Sequence, residues 1–256
     1  MGSQRGNRLH GLDTLRGATL VSMIAYHACW DLVWIFGVNL PWYRTAGAYV
    51  WQQSICWTFI LLSGYCWSLG RHRLKRGLLA FGGGALVSAV TALFLPENAV
   101  RFGVLTLLGS AGLLLIPLEP LLRRLPARAG LAGSFTLFLL LRDVNEGYLG
   151  FEGGRVLALP QAWYRNAATA YLGFPAPGFF STDYFSLLPW LFLFLTGYFL
   201  WRLRPEDRGP GPRLPVLTAL GRHSLVVYLL HQPVVYALLY ALVLGTAVLL
   251  GVSLHE

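Results

Sequence analysis

Apolar residues run along this chain in stretches of about twenty, separated by short polar or glycine- and proline-bearing joints, the pattern that crosses a bilayer as helices. Seven stretches can be drawn, at roughly 17–36, 48–69, 77–96, 102–122, 126–142, 186–203 and 222–251. The fifth is short, and the seventh is long with Pro233 inside it. A proline removes a helix hydrogen bond and kinks or breaks the helix. The last stretch therefore reads as one kinked span or as two half-spans, which would make eight. Gly82, Gly83 and Gly84 fall within the third stretch, where they read as close helix packing rather than a phosphate loop. The predicted fold is an all-α, polytopic membrane helical bundle of about seven transmembrane spans. One membrane domain covers residues 1–256, without an internal repeat or a separable soluble module.

Composition supports that class. The 256 residues are 55% hydrophobic and only 12% charged, against about 25% charged in an ordinary soluble domain. Nine Trp, twelve Tyr and fifteen Phe suit interfacial belts and helix contacts. Cys29, Cys56 and Cys66 lie within apolar stretches at no metal-like spacing and read as small hydrophobes. Residues 1–16 are polar and no cleavage pattern follows, so the first stretch is expected to be a signal anchor.

The cations set an orientation. Arg5, Arg8 and Arg16 precede the first stretch; Arg71, Arg73, Lys75 and Arg76 follow the second; Arg123, Arg124 and Arg128 follow the fourth. Arg202, Arg204, Arg208, Arg213 and Arg222 lie between the sixth and seventh. These fifteen of the twenty cations face only Asp13, Glu119, Glu206 and Asp207, whereas the opposite side has five cations and seven acids. The positive-inside rule then predicts a cytoplasmic N-terminus and an external C-terminus, which requires an odd number of spans. The net charge of +9 is accounted for by topology and implies no nucleic-acid partner.

Residues 143–185 break the rule of short connections. A structureless loop longer than about 15 residues is uncommon and is often a lid or a binding loop. Two readings stand for it: a solvated, partly re-entrant cap, or a cap that closes over a substrate on the outer face.

The chemistry-bearing residues lie within the first and last stretches. His27 and Asp31 are four apart, hence on one face of a helix, and are expected to pair. Ionisable groups are expensive in a bilayer and are a functional-site hypothesis there by default. At ~1.5 Å per residue, His27 lies about 15 Å beyond Gly17 and His231 about 14 Å beyond Arg222. The two histidines thus arrive at similar depth from the same face. A histidine oriented by a carboxylate is the arrangement of a general base. The same pair would also serve merely to pin two helices, and Gln232 beside His231 could do no more than satisfy backbone groups freed by Pro233. At the inner mouth, Arg16, three residues after Asp13, stands first among the candidates to hold the phosphates of an anionic ligand, with Arg71, Arg73, Lys75, Arg76, Arg222 and His223. They also fit the ordinary positive-inside fringe. No His, Cys and acid cluster has metal spacing.

Several blocks of the chain carry a resemblance. Leu12-Asp13-Thr14-Leu15-Arg16-Gly17 followed by His27 resembles the first span of bacterial heparan-alpha-glucosaminide N-acetyltransferase-like proteins, within the wider membrane acyltransferase superfamily. Arg101-Phe102-Gly103-Val104-Leu105 is similar to that family's Phe-Gly-Ile-Leu block, although Thr106 stands where His or Gln usually follows. Asp183-Tyr184-Phe185-Ser186-Leu187-Leu188-Pro189-Trp190 resembles an Asp-Tyr-Phe-Pro-Leu-Leu-Pro-Trp segment, with Ser186 in place of Pro. Gly221-Arg222-His223-Ser224-Leu225 with Tyr228, His231 and Pro233 resembles its last block.

The resemblance implies a multi-pass acyltransferase of the bacterial cytoplasmic membrane. It would move an acetyl group from cytosolic acetyl-CoA to an amine or hydroxyl of a sugar-like or glycan acceptor. His27, Asp31 and His231 would be catalytic, with Arg16, Asp13, Arg222 and Ser224 at the acetyl-CoA end. Asp183, Tyr184, Trp190, Arg101, Thr106 and Tyr228 would attend the acceptor and the developing oxyanion. No metal is expected, and a homo-oligomer is compatible with the apolar surface. The competing reading is a proton-coupled small-molecule transporter using His27, Asp31 and His231 as a relay. A third is a non-enzymatic scaffold, in which His27 would tolerate Asn or Gln.

Overall fold

A computed structural model of the chain describes residues 9–204 and 211–250, with side chains to 246. Each predicted stretch is helical: α1 (His10–Trp34), α2 (Ala46–Trp67), α3 (Arg73–Phe94), α4 (Val104–Arg124), α5 (Ala127–Leu140), α7 (Leu187–Arg202) and α9 (Ser224–Leu250). Two short helices add to these, α6 (Ala167–Leu172) and α8 (Pro215–Arg222), together with the strands β1 (Tyr148–Phe151) and β2 (Gly154–Ala158). α9 passes through Pro233 without interruption, so the last stretch is one helix and the two half-spans do not occur.

Among the described residues, α3, α4 and the Ser224–Thr246 part of α9 are long and apolar enough to cross a bilayer. α1 and α2 have the length, at 25 and 22 residues, and carry more polar residues such as Asp31, Gln52 and Gln53 within their apolar runs. α5 and α7 have 14 and 16 residues. At ~1.5 Å rise each covers about 21–24 Å, short of a hydrocarbon core of about 30 Å.

The contacts divide the chain into two compact units, one of residues 1–59 with 207–256 and one of residues 60–206, the boundary falling inside α2. In the first unit α1 packs along α8 and α9. Pro215 opens α8, where its fixed φ suits a first helical turn and its missing N–H is no loss. Small residues let α8 lie directly on α1. A Cβ on Gly17 would run into the Leu217 carbonyl, and one on Gly221 into that of Asp13. Thr14 and Thr218 hydroxyls hydrogen-bond across this crossing at 2.8 Å. Beyond it, Leu20, Met23 and Ile55 form a core with Trp51, whose indole N–H donates to Ser22 at 2.8 Å.

The second unit is built from the pairs α3–α4 and α5–α7, with α4 touching α7. Gly84 abuts Thr106 and Gly109 abuts Phe81, which bears out close packing at the glycine run, while Gly82 faces open space. Phe138, Leu193, Phe194 and Tyr198 fill the interior. The long connection expected without regular structure instead contains an antiparallel hairpin, β1 with β2, turning through Glu152 and Gly153 at positive φ. The Asp143 carboxylate accepts from the Gly153 N–H at 2.8 Å and ties the turn down. α6 follows, started by a capping box between Asn166 and Thr169.

Candidate active site

α1 and α9 bring the two histidines together. The rings of His27 and His231 lie 4.9 Å apart between centroids, inclined at 57°. This agrees with the equal depths counted from the sequence. The Tyr228 ring lies 5.3 Å from that of His231, and Tyr26 meets His27 edge-on.

The expected pairing of His27 with Asp31 is replaced by another. Asp31 Oδ1 accepts a hydrogen bond from Gln232 Nε2 at 2.6 Å, and no hydrogen bond joins Asp31 to His27. The four-residue spacing does put both on one face, but an aspartate is short, and the Gln232 amide reaches it from α9. Gln232 thus reaches a carboxylate on the neighbouring helix and is not merely a partner for backbone freed by Pro233. Its only sequence signal is an amide beside a histidine within an apolar stretch.

Hydrogen-bond polarity gives the site its character. His231 Nδ1 lies 2.5 Å from the Tyr228 carbonyl, which can only accept, so Nδ1 carries the proton. In a neutral ring Nε2 is then an acceptor. Gln232 turns its amino group to Asp31, which leaves Oε1 as the other end of the amide. His231 Nε2, Gln232 Oε1 and the second Asp31 oxygen are all buried without a hydrogen-bond partner among the described residues. All three are acceptors, on a fully buried aspartate and on two consecutive residues of α9.

At the N-terminal end of α1, Asp13 stands between two guanidinium groups, 3.7 Å from Arg16 and 3.6 Å from Arg222. Arg222 also lies 3.2 Å from His10 Nδ1. These ion pairs exceed hydrogen-bond length, and each guanidinium has five N–H donors. The pair therefore retains capacity for an anion. Ser224 is the first residue of α9.

The remaining predicted residues belong to the second unit. Asp183 Oδ2 accepts from the Val104 N–H at 3.2 Å, at the start of α4. The Tyr184 hydroxyl donates to the Ala170 carbonyl at 2.5 Å and accepts from Asn145 at 3.3 Å. Burial pushes that hydroxyl up to about 12. Asn145 also donates to Gly173 O at 2.9 Å and to Ser186 Oγ at 3.0 Å. Trp190 is buried, with the Arg142 guanidinium 5.0 Å from its ring centroid and Phe138 and Phe185 beside it. Thr106 is buried against Gly84, and its carbonyl accepts from Ser110. The Arg101 side chain is exposed. Asn145, which holds this network together, carries no sequence signal beyond its place in a polar loop. Among the described residues no group of three or more His, Cys, Asp and Glu is placed to hold a metal ion.

The model of the family described as "Heparan-alpha-glucosaminide N-acetyltransferase, catalytic" matches residues 8–233. No curated protein matches the chain, and no solved structure does. The matched segment takes in α1 whole and reaches Pro233, so His27, Asp31, His231 and Gln232 all lie inside it. A family of this kind brings a transmembrane acetyltransferase-like function, and it uses acetyl-CoA as donor in general. The chain, a membrane protein with its histidine pair between the first and last helices, belongs to the heparan-alpha-glucosaminide N-acetyltransferase catalytic family.

Proposed function

We propose that this protein is an acetyl-CoA-dependent N-acetyltransferase of the bacterial inner membrane, with seven spans and a cytoplasmic N-terminus, acting on the amine of a sugar-like acceptor. The observation that carries the choice of amine is the set of unpartnered buried acceptors, Asp31 Oδ2, Gln232 Oε1 and His231 Nε2. Buried acceptors without donors are costly. A primary amine brings two or three N–H donors to them, whereas a hydroxyl brings one.

In the proposed reaction Arg16 and Arg222 hold the CoA phosphates, with Asp13 keeping the two guanidinium groups side by side. The acceptor amine, hydrogen-bonded to Asp31 and Gln232, attacks the thioester carbonyl. His27 takes the proton that the nitrogen sheds as the C–N bond forms. Collapse of the tetrahedral intermediate breaks the C–S bond, and His27 returns its proton to the departing thiolate. The products are the N-acetylated acceptor and CoA thiol, and His27 ends neutral, as general acid–base catalysis requires.

The test uses purified full-length protein in detergent with acetyl-CoA. Thiol release that depends on an added amino sugar, and not on the matching N-blocked or neutral sugar, supports the reading. Release driven equally by the neutral sugar would replace N- by O-transfer. Uptake of the amine into sealed vesicles without CoA, and no thiol release, would overturn the enzyme altogether.

A further inference from the structure

In the second unit an open-sided groove of about 430 Å³ runs between α5, α7 and the C-terminal half of α2. Its wall is Leu61, Leu131, Ala132, Phe135 and Leu200, with Thr196 among them and Arg128 at one end. The Thr196 hydroxyl is already engaged, with Ser134 at 3.1 Å and the Phe192 carbonyl at 2.8 Å. The wall thus offers hydrocarbon and almost nothing that could hydrogen-bond a peptide or a sugar.

The cation at its end is in a different condition from its neighbours. Arg123 is paired with Glu119 at 2.7 Å. Arg202 gives its guanidinium to the carbonyls of Leu122, Arg123 and Leu125. Arg128, exposed in the first turn of α5, has no hydrogen bond or ion pair among the described residues. Arg124 is exposed nearby in sequence, on the other side of the turn. Charge and wall together ask for an amphiphile, with one anionic group at Arg128 and a hydrocarbon chain against Leu131, Ala132 and Phe135.

We infer that this groove is a binding site for one anionic glycerophospholipid, its phosphate on Arg128 and an acyl chain along α5. Helix length favours the same occupant. Taken as a span, α5 with 14 residues is shorter than the hydrocarbon core, a mismatch that basic side chains at the helix ends relieve. A long basic side chain there extends toward the phosphates. The inference rests on the membrane reading and not on the acetyl transfer. It is read by binding alone, so either can fail without the other.

The experiment is native mass spectrometry of the full chain released from detergent, with phosphatidylglycerol and phosphatidylcholine of identical acyl chains offered at equal concentration. The protein retains the anionic lipid in about fivefold preference, the factor one basic side chain near the surface supplies. Arg128→Gln brings the ratio to parity. Ala132→Trp, which fills the groove from an exposed position, removes the retained lipid of either kind. An unchanged ratio in Arg128→Gln overturns the site, as does undiminished retention in Ala132→Trp. Displacement of the lipid by excess inorganic phosphate identifies a soluble-anion site and overturns it too. Should Ala132→Trp fail to purify, the Arg128→Gln ratio decides.

Discussion

Each unit holds a buried polar cluster, and the two are built on opposite terms. In the second unit the two amide hydrogens of Asn145 are shared among Gly173 O, Tyr184 Oη and Ser186 Oγ, Tyr184 gives its own to Ala170, and the Ser186 hydroxyl is within reach of the Leu188 carbonyl and of Asn145 Oδ1. That network closes on itself. In the first unit Asp31, Gln232 and His231 share one side-chain hydrogen bond and one bond to backbone, and three acceptor atoms are left over. A buried polar group without a partner costs about 1–3 kcal/mol. A closed network adds shape and rigidity to a fold, whereas an open one is retained at the expense of stability, a pattern concentrated where function needs it. Residue type does not make this difference between the two clusters, since both mix an amide, an oxygen acid or hydroxyl, and a ring.

The largest effect expected from breaking the open cluster is at His27. His27→Ala lowers amine-dependent acetyl transfer by about 10²–10⁴-fold, the usual contribution of a positioned general base, with the thermal midpoint little changed. Single-turnover thiol release with saturating acetyl-CoA measures it. Full activity in this variant would leave the histidine pair as helix packing and remove the contrast between the two clusters.

Arg16 comes next. Arg16→Glu reverses one of the two charges beside Asp13 and should raise the apparent KM for acetyl-CoA about tenfold or more while kcat changes less, as the loss of a charge-assisted contact does. An unchanged KM would return Arg16 to a purely structural ion pair with Asp13.

Asn145→Ala tests the closed cluster. It strands the Tyr184 and Ser186 oxygens and the Gly173 carbonyl, so it should destabilise the protein by about 1–3 kcal/mol, seen as a lower thermal midpoint in detergent. The per-molecule rate of acetyl transfer at a temperature below both midpoints should stay the same. A rate that falls in step with His27→Ala would make the second cluster part of the chemistry.

How much of this was legible in the sequence follows from the range of each interaction. The seven apolar stretches emerge as helices because the length of an apolar run is a local property. The meeting of His27 and His231 was also readable, since basic anchors at Arg16 and Arg222 and a fixed rise give both the same depth. The partner of Asp31 was not, because it comes from Gln232, 201 residues away, and a local rule offered His27 first. The hairpin in the long connection is not legible in the sequence because β1 and β2 are four and five residues long, too short for alternation to stand out. Its turn, Glu152-Gly153, carries a non-glycine residue at φ 49°. α8 lies in the basic segment between the sixth and seventh stretches, where Pro215 and the small residues Thr218 and Gly221 are the marks of a short helix packed close on a neighbour.

The smallest effect expected belongs to Tyr184, and it sharpens the comparison by pH. Burial raises its hydroxyl from the ordinary value near 10 to about 12, and burial raises Tyr164 in the same unit as well. The neutral form is the one that donates to Ala170, so folding favours the proton. Stability from this group is fully present below about pH 10 and is lost as pH rises toward about 12, because the unfolded chain ionises first. Tyr184→Phe has no proton to lose. It should be slightly less stable than the wild type at pH 8, for want of one hydrogen bond, yet lose less of its thermal midpoint between pH 9 and pH 11, with Tyr164 left to supply a residual slope. Parallel midpoint curves for the two proteins would mean that the hydroxyl is solvated in the folded state, and that the second cluster is less closed than its hydrogen bonds imply.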